Sequence, residues 1–333
     1  MYMALRQEKT LRNDLQRVVE TLHNEAVSVE PYADQYRRLL DNHGKMIRAA
    51  LVLSFAQARQ TSGEVATQDR LATAEHDEPL SERVIIGAAA IEMLHLATLV
   101  HDDVLDNAPV RRNNPTTQTM VGNKVAIYLG DLILSRYMEI AAGLAPDVDF
   151  MREQSSTLRE IVTGELLQES ARHHSDTTVE YYTRAIGGKT AALFRLSCLT
   201  GLRLSGRAPD LSWVRAATSF GDHLGIAFQI VDDIEDFDIA HDTGKPKLED
   251  ITDGIYTLPV LLALREDPTF HRLLNDPEAV LGYLNDHPRV MVESKRVAAE
   301  HVSQAARSLE AVAVSEPIKK LLLSMLQQFS ARI

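Results

Sequence analysis

Two long segments of this sequence are apolar on nearly every side when they are drawn as helices. The first runs from Glu82 to His101 and the second from Arg215 to Val231. A helix with no polar face is surrounded by other helices, because any side that faced water would leave apolar surface exposed. The two segments therefore predict the centre of a helical bundle.

The rest of the chain has the periodicity of amphipathic helices. Apolar residues recur at spacings of three and four in Leu11–Ser28, Met46–Ala58, Tyr128–Leu144, Gln154–Ser170 and Ile318–Phe329. Alternating runs of β-branched and aromatic residues, which would indicate strands, are nearly absent. The sequence has no repeat and no dividing linker. It predicts an all-α protein of roughly ten to thirteen helices, in which residues 1–333 form a single domain.

Composition excludes several classes of protein. The 333 residues include 35 basic and 47 acidic side chains, which gives a formal charge of −12 and argues against nucleic-acid binding. The one cysteine, Cys198, cannot form an internal disulfide, which indicates a reducing compartment, and its apolar neighbours indicate a core residue. Glu92 and His95 interrupt the most apolar stretch, and no secretory signal is visible. We therefore expect a cytoplasmic protein with no transmembrane segment.

A cluster of carboxylates follows each apolar helix. The members are Asp102, Asp103 and Asp106 after the first helix, and Asp232, Asp233 and Asp236 after the second. The first and last aspartates of a cluster are four residues apart, so on a helix they lie close together and repel unless a cation lies between them. Carboxylate oxygens suit Mg²⁺, which completes its shell with water and phosphate oxygens. Acids at a helix C-terminus oppose the helix dipole, so capping does not explain both clusters. We predict two metal-diphosphate sites.

Basic residues that can meet phosphate oxygens are grouped as well. They lie in the motifs Gly44-Lys45-Met46-Ile47-Arg48, Arg111-Arg112, Gly187-Gly188-Lys189-Thr190 and Gly244-Lys245. The third motif is expected to open a helix, where free N–H groups favour an anion. Each motif alone is typical of solvated surface. Together they indicate two polyanions, one bridged to carboxylates through metal and one held directly by Lys and Arg.

In order and spacing, these motifs resemble those of the trans-isoprenyl diphosphate synthases, or polyprenyl synthetases. Phe228-Gln229-x-x-Asp232-Asp233 also fits the pattern of that family. The resemblance implies a helical bundle around a central cavity, a homodimer and three Mg²⁺ ions. It implies the head-to-tail, trans condensation of an allylic diphosphate with isopentenyl diphosphate to give a polyprenyl diphosphate.

The resemblance also assigns a role to each matching residue. Metal would be held by Asp102, Asp106 and Asp232, with Asp236, Asp103 and Asp233 as further ligands or as acceptors behind them. The allylic diphosphate would contact Arg111, Lys189, Thr190, Gln229 and Lys245. Isopentenyl diphosphate would contact Lys45, Arg48, His95 and Arg112. The catalytic set would be Asp102, Asp103, Asp106, Lys189, Asp232 and Asp233.

Three positions depart from the family pattern. Ile255 stands where a lysine is common, Asn113 where a glycine is frequent, and Ala49 where a proline often follows Arg48. The expected metal ligands are all present. We therefore expect weaker diphosphate binding and not a loss of activity.

Product length in this family depends on the helix before the first acidic cluster. Short-chain enzymes have an aromatic residue five positions before that cluster, and here the position holds Ala97, followed by Thr98. Small residues leave room for a growing chain, so the product is expected to exceed geranylgeranyl length. The end of the tunnel would then lie at Met93, Tyr137 or Met138. A simple role of Ala97 in close helix packing is the alternative.

Other activities stay open at this point. A short-chain farnesyl or geranylgeranyl diphosphate synthase would share all of the motifs. A class I terpene cyclase shares the fold and the first acidic motif, but it carries an Asn/Ser/Glu type of second motif and has no second diphosphate for Lys45 and Arg48. The same basic pair disfavours a head-to-head squalene-type synthase. A non-catalytic subunit of a heteromeric synthase is a further alternative, and the two complete acidic motifs argue against it. They favour a catalytic subunit, for which the need of a small partner stays open.

Overall fold

A computed structural model gives the fold, and it describes residues 9–25, 29–42, 44–61, 80–112, 114–208, 210–238 and 247–332. The α-helices in these ranges are α1 Lys9–Asn24, α2 Ala33–Asp41, α3 Ile47–Thr61, α4 Glu82–Leu105, α5 Thr117–Val121, α6 Asn123–Leu144, α7 Val148–Ser170, α8 Val179–Ile186, α9 Ala192–Leu204, α10 Leu211–Asp236, α11 Glu249–Thr252, α12 Leu258–Glu266, α13 Pro277–Asp286, α14 Pro288–Ser308 and α15 Glu316–Ser330. A π-helical turn spans Gly187–Ala191, and 3₁₀ turns span Pro268–Leu273 and Leu309–Ala311. The all-α prediction is confirmed.

The described strands form one small hairpin within a predicted loop. Strand β1, Val110–Arg111, pairs antiparallel with β2, Asn114–Pro115, so that Arg111 lies opposite Asn114. The helices exceed the predicted number because several are short, such as α5 with five residues and α11 with four. The predicted loop Arg59–Ser81 lies mostly outside the described residues, since α3 continues to Thr61 and the description resumes at Leu80.

Contacts divide the chain into two compact units. Unit 1 comprises Met1–Gln154, Ser197–Ala217 and Ala311–Met325, and unit 2 comprises Ser155–Leu196, Thr218–Glu310 and Leu326–Ile333. Each unit is described by itself, and the single domain stays a prediction.

Helix α4 is the centre of unit 1, as its composition predicts. It packs against α1, α3 and α6, and its residues from Val84 to Leu94 are almost all buried. The helix continues past His101 to Leu105, and Asp106 is its C-cap residue. The first acidic cluster therefore lies in the last turn of α4 and not after the helix. Cys198 is buried in this unit, as expected.

The end of α10 is built into unit 2 by contacts between small residues. A Cβ on Gly225 would lie 2.4 Å from the Cα of Ala191, so α10 and the π-helical turn meet almost backbone to backbone. A Cβ on Gly164 of α7 would lie 2.1 Å from the backbone nitrogen of Lys189. These close approaches fix the π-helical turn against α7 and α10. Helix α10 ends at Asp236 and not at Val231, so the second acidic cluster also lies inside a helix.

The expectation that Gly187-Gly188-Lys189-Thr190 opens a helix is wrong. The segment is a π-helical turn between α8 and α9, and the backbone N–H of Ala192 bonds to the carbonyl of Gly187. The N–H groups are therefore used within a continuing helix. The paired glycines allow close packing instead, because a Cβ on Gly188 would lie 2.6 Å from the carbonyl oxygen of Glu160.

Helix α4 is the one described helix that is long and apolar enough to cross a membrane. About two-thirds of its most apolar window is buried in the protein, and the core helix of a soluble protein meets the same criteria. The expected lack of a transmembrane segment stays a prediction.

Candidate active site

The first acidic cluster, Asp102 to Asp106 in unit 1, is supported from behind by an arginine. Asp103 is 6% exposed, and its Oδ1 accepts a hydrogen bond of 2.6 Å from Nε of Arg111. The β1–β2 hairpin turns the chain back and so brings Arg111 to the end of α4. Burial raises the pKa of Asp103, and the guanidinium opposes that rise. Asp102 is half-buried and Asp106 is exposed, so Asp106 is open to a ligand.

The second arginine of the pair contacts the loop before α3. Nη1 of Arg112 donates to the backbone oxygen of Asn42 at 3.0 Å. Its guanidinium lies so close to Gly44 that a Cβ there would be 2.3 Å from Nη1, and Gly44 has a φ of +66°. The positive φ favours glycine at that position. The loop that carries the exposed Lys45 is thereby held beside Arg112.

Arg48 and His95 lie in the same basic group. Burial lowers the pKa of Arg48 to about 10, with a smaller lowering from Arg112, so this side chain is still charged at neutral pH. The pKa of His95 lies well below its usual range, first because of burial and then because of Arg48, Arg112 and Arg111. The lowered pKa favours a neutral His95 ring at neutral pH.

Two cavities of unit 1 adjoin these residues. The larger, of about 310 Å³, is lined by Asp103, Arg111, Arg112 and Asn42 together with apolar side chains. The smaller is lined by Glu92, His95 and Arg112. Of the expected residues of this half of the site, Asp103, Arg111, Arg112 and His95 line these cavities, whereas Lys45, Arg48, Asp102 and Asp106 do not.

Glu92 is a residue of this region that the sequence did not assign. It is 5% exposed, and its Oε1 accepts a hydrogen bond of 2.9 Å from the backbone N–H of Ala49. The sequence feature that could have identified Glu92 is its charge in the middle of an apolar helix, because a buried carboxylate requires a partner.

In unit 2, a chain of hydrogen bonds ends on Asp233, which is 3% exposed. Oγ1 of Thr190 donates to Oε1 of Gln229 at 2.6 Å, and Nε2 of Gln229 donates to Oδ1 of Asp233 at 2.8 Å. The hydroxyl of Tyr182 donates to Oδ2 of Asp233. Burial raises the pKa of Asp233 to about 7, despite these donors. The network connects the π-helical turn to the second acidic cluster.

Lys189 lies next to this network. Its Nζ is 3.0 Å from Oε2 of Glu165 on α7. Together with Gln229 and Asp233, Lys189 lines a cavity of about 60 Å³, and Ile255 lies on the same wall. The departure at Ile255 therefore places an apolar side chain where a lysine would face Asp233.

Asp250 is a second residue that the sequence did not assign. It is largely buried and lines the cavity of Lys189. Its pKa is raised well above the usual range by burial and by the carboxylates of Asp233 and Asp236. The loop that leads to it is only partly described, and 239–246, including Lys245, lies outside the described residues.

Asp236 differs from the last aspartate of the first cluster. Its carboxyl accepts hydrogen bonds from the backbone N–H groups of Leu248, Glu249 and Asp250, which oppose the rise in pKa that burial causes. It thereby caps the short helix α11. Its Oδ2 is buried and accepts no hydrogen bond from the described residues.

The donor set suits a hard cation that takes few protein ligands. Among the described residues, no group of three or more His, Cys, Asp or Glu side chains is arranged to hold a metal. Each cluster instead offers two carboxylates one turn apart, Asp102 with Asp106 and Asp232 with Asp236. Mg²⁺ binds through one or two carboxylates and fills its shell with water and substrate phosphates. The unpaired Oδ2 of Asp236 is one oxygen that such an ion would satisfy.

The residues expected to set product length lie inside unit 1. Ala97 is 1% exposed, and Thr98 donates its hydroxyl hydrogen to the carbonyl of His95 at 2.8 Å. Met93 and Tyr137 are fully buried, and the Tyr137 hydroxyl donates to Gln154 at 2.6 Å. Met138 is half-buried, and Asn113 lies outside the described residues.

Comparisons with known proteins identify the family of this chain. The sequence profile of the polyprenyl synthetase family matches residues 29–279. Solanesyl-diphosphate synthase 1 of Oryza sativa subsp. japonica, a mitochondrial protein, is 32% identical over 292 residues, which cover 85% of this chain and 67% of the relative. Geranylgeranyl pyrophosphate synthase from Lactobacillus brevis has a crystal structure with 29% identity and a TM-score of 0.84, covering 99% of this chain and 100% of that one. For heptaprenyl diphosphate synthase from Staphylococcus aureus, the identity is 27%, the TM-score 0.85, and the coverage 96% and 98%.

Proposed function

This chain belongs to the polyprenyl synthetase family and is a prenyltransferase, and from that premise we propose its reaction. It condenses an allylic diphosphate with isopentenyl diphosphate, head to tail and in the trans configuration. The product is a polyprenyl diphosphate longer than C20. The family uses a divalent metal, and for this chain we propose three Mg²⁺ ions.

The allylic diphosphate binds to the cations and donors near the two acidic clusters. In unit 2, Thr190 and Gln229 are held by the network that ends on Asp233, and Lys189 is paired with Glu165. In unit 1, Arg111 contributes a guanidinium already fixed by Asp103. Lys245 is a further contact on the pattern of the family. Because these donors are oriented before the substrate arrives, little ordering remains when it binds.

Isopentenyl diphosphate binds to the basic group of unit 1. Arg48 and Arg112 supply charge, Lys45 adds an exposed cation, and neutral His95 supplies a hydrogen bond. Planar guanidinium groups match phosphate oxygens in pairs, which orients the substrate as well as holding it.

The chemistry requires charge stabilisation and not an attacking side chain. The allylic C–O bond breaks, and its electron pair leaves with the diphosphate. The double bond of isopentenyl diphosphate then forms the new C–C bond, and a proton leaves to the released diphosphate. When it is bound by Asp102, Asp106, Asp232 and Asp236, Mg²⁺ supplies positive charge to the phosphate oxygens. Lys189 and Arg111 add fixed charge and donors where negative charge develops on the leaving group.

The observation that carries this proposal is the convergence of Arg48, Arg111 and Arg112 on the helix that ends in the first acidic cluster. Guanidinium groups that are half-buried (Arg48, Arg111) or exposed (Arg112) and lie next to carboxylates suit an anion together with a hard cation. A class I terpene cyclase would have one diphosphate to bind and no need for this basic group.

The test is product analysis with purified protein, Mg²⁺, isopentenyl diphosphate and a series of allylic primers. We expect products beyond geranylgeranyl length, in keeping with the names of the relatives from rice and Staphylococcus aureus. Products formed from the allylic substrate alone would indicate a cyclase, and no turnover with any primer would contradict the proposal.

Product length is tested at Ala97 on α4. Ala97→Phe places an aromatic ring where short-chain enzymes have one, so the longest product should shorten by several isoprene units. Ala97→Ser keeps the side chain small and should leave the length unchanged. Equal product lengths in both variants would show that Ala97 serves only in helix packing.

Three further statements belong to the same proposal. The protein acts as a homodimer and lies in the cytoplasm. Both acidic clusters are on this chain, so it needs no second kind of subunit for activity. Sedimentation of the active enzyme at assay concentration tests the first of these, and activity of the single purified chain tests the last.

A further inference from the structure

The residue before helix α3 is not one of the polar residues that usually cap a helix N-terminus. It is Met46, which has a φ of +51° and a thioether that is only a weak acceptor. The first N–H groups of a helix need acceptors from elsewhere. Here the carboxylate of Glu92, on α4, accepts from the backbone N–H groups of Arg48 and Ala49, the latter at 2.9 Å. Glu92 therefore caps α3 from a neighbouring helix.

The same carboxylate faces two guanidinium groups. Arg48 and Arg112 both attract Glu92, and the two arginines repel each other. Arg48 is half-buried and Arg112 is exposed. A half-buried cation without a counter-charge is costly, and a second cation beside it adds repulsion. Glu92 thus connects the first turn of α3 with both of the arginines that are expected to meet isopentenyl diphosphate.

We propose that Glu92 is a positioning residue for isopentenyl diphosphate, which holds Arg48 and Arg112 ready for its phosphate oxygens. The inference rests on the proposed function, in which this basic group binds that substrate. Glu92 contacts neither substrate itself and acts through the two arginines and the backbone of α3.

Loss of Glu92 is expected to weaken the binding of isopentenyl diphosphate, because the two arginines are then no longer ordered before the substrate binds. Without the carboxylate, the two guanidinium groups repel, and the first turn of α3 loses a charged acceptor. The substrate must then order these groups when it binds, so the cost appears in binding. The groups that act on the allylic diphosphate are not linked to Glu92 by any of these contacts. The chemical step should therefore change little.

The first variant is Glu92→Gln, which keeps an acceptor for the Ala49 N–H but removes the charge. We expect the KM for isopentenyl diphosphate to rise by about tenfold, the lower end of what the loss of a supporting partner costs at a charged site. The KM for the allylic substrate and kcat should stay within about twofold of wild type. Glu92→Asp keeps the charge and should show a smaller rise.

The matched control is Glu153→Gln in the same unit, where the carboxylate pairs with Arg203. It also removes a partly buried carboxylate from an ion pair, so it should lower thermal stability while leaving both KM values unchanged. Equal increases of both KM values in Glu92→Gln, or no increase, would overturn the proposal. If Glu92→Gln does not fold, Glu92→Asp gives the test: its KM for isopentenyl diphosphate should rise more than its KM for the allylic substrate.

Calorimetric binding of isopentenyl diphosphate separates this inference from the proposed reaction. A wild-type protein without turnover would contradict the proposed function. In that case, binding to wild type that weakens by about tenfold in Glu92→Gln would still support the role of Glu92. Equal affinities of the two proteins would overturn it.

Discussion

The two acidic clusters have the same spacing and the same place at the end of an apolar helix, but their second aspartates have different partners. Asp103 is paired with the guanidinium of Arg111. Asp233 accepts from the neutral groups of Tyr182 and Gln229. Burial raises the pKa of both, and for Asp233 it reaches about 7. The spacing of the motif thus decides where the carboxylates lie, whereas distant residues decide how readily each is charged.

The largest expected effect comes from the first aspartate of each cluster. We expect Asp102→Asn and Asp232→Asn each to lower kcat by about 100- to 1,000-fold, because each removes charge from a metal-diphosphate site. Steady-state rates with labelled isopentenyl diphosphate give the measurement. Asp149→Asn, at an exposed position paired with Arg152, serves as the control and should be neutral. A large loss in only one of the two variants would show that the clusters are not equivalent in the reaction.

Substitution of the second aspartate of each cluster should lower the free energy of unfolding by different amounts. Asp103→Asn leaves Arg111 without its counter-charge, so we expect a loss of about 2 kcal/mol in the free energy of unfolding. Asp233→Asn should cost less, about 1 kcal/mol, because burial raises the pKa of this carboxyl and so favours its neutral form. Urea unfolding at pH 7 measures both. The reverse order would mean that the neutral donors of Asp233 hold a fully charged carboxylate.

A lysine at position 255 would make the second cluster more like the first. Ile255 lines the same cavity as Asp233 and Asp250. Ile255→Lys therefore adds a cation near the second cluster, as Arg111 supplies one near the first. We expect the KM for the allylic diphosphate to fall by about fivefold, which corresponds to about 1 kcal/mol. Ile255→Met, without charge, should leave it unchanged. A fall in both variants would point to side-chain shape and not to charge.

The smallest expected effect concerns α10, which also carries His223. Nδ1 of His223 lies 2.9 Å from Nδ1 of His301, so one ring donates and the other accepts. Burial lowers the pKa of both rings, so stability from this pair is present above the unfolded pKa of about 6.5 and is lost as the pH falls below it. Lowering the pH from 7 to 5.5 should reduce Tm in both proteins. In His301→Asn the reduction should be about 1 °C smaller than in wild type. The exposed His174→Asn should match wild type, and a wild-type pH dependence in His301→Asn would contradict the pairing argument.

The parts of the fold that could be predicted from the sequence are those that depend on local composition. Helices α4 and α10 were recognisable because a helix that is apolar on nearly every side must be surrounded by other helices. Both helices continue past their apolar segments, which end at His101 and Val231, and through the aspartates, whose four-residue spacing is that of a helix. Asp103 and Asp233 stay in the helices because buried partners receive them, and composition does not reveal such partners.

The parts that could not be predicted are contacts between residues far apart in the sequence. Glu92 caps a helix that begins before it in the chain, across 43 positions to Ala49. Asp250 approaches Asp233 from a different helix. The expected helix start at Gly187 was wrong for a related reason. Glycines often end helices, but here their small size serves contacts with α7 that no local pattern describes.

The π-helical turn at Gly187–Ala191 has a consequence for how this site can change during evolution. A π turn arises when one residue is inserted into an α-helix, and one residue rotates the following helix by about 100°. The orientation of Thr190 towards Gln229 therefore depends on the phase of the helix as well as on the residue types. Deletion of Gly187 or Gly188 would keep Lys189 and Thr190 in the sequence and still turn Thr190 away from Gln229 on α10.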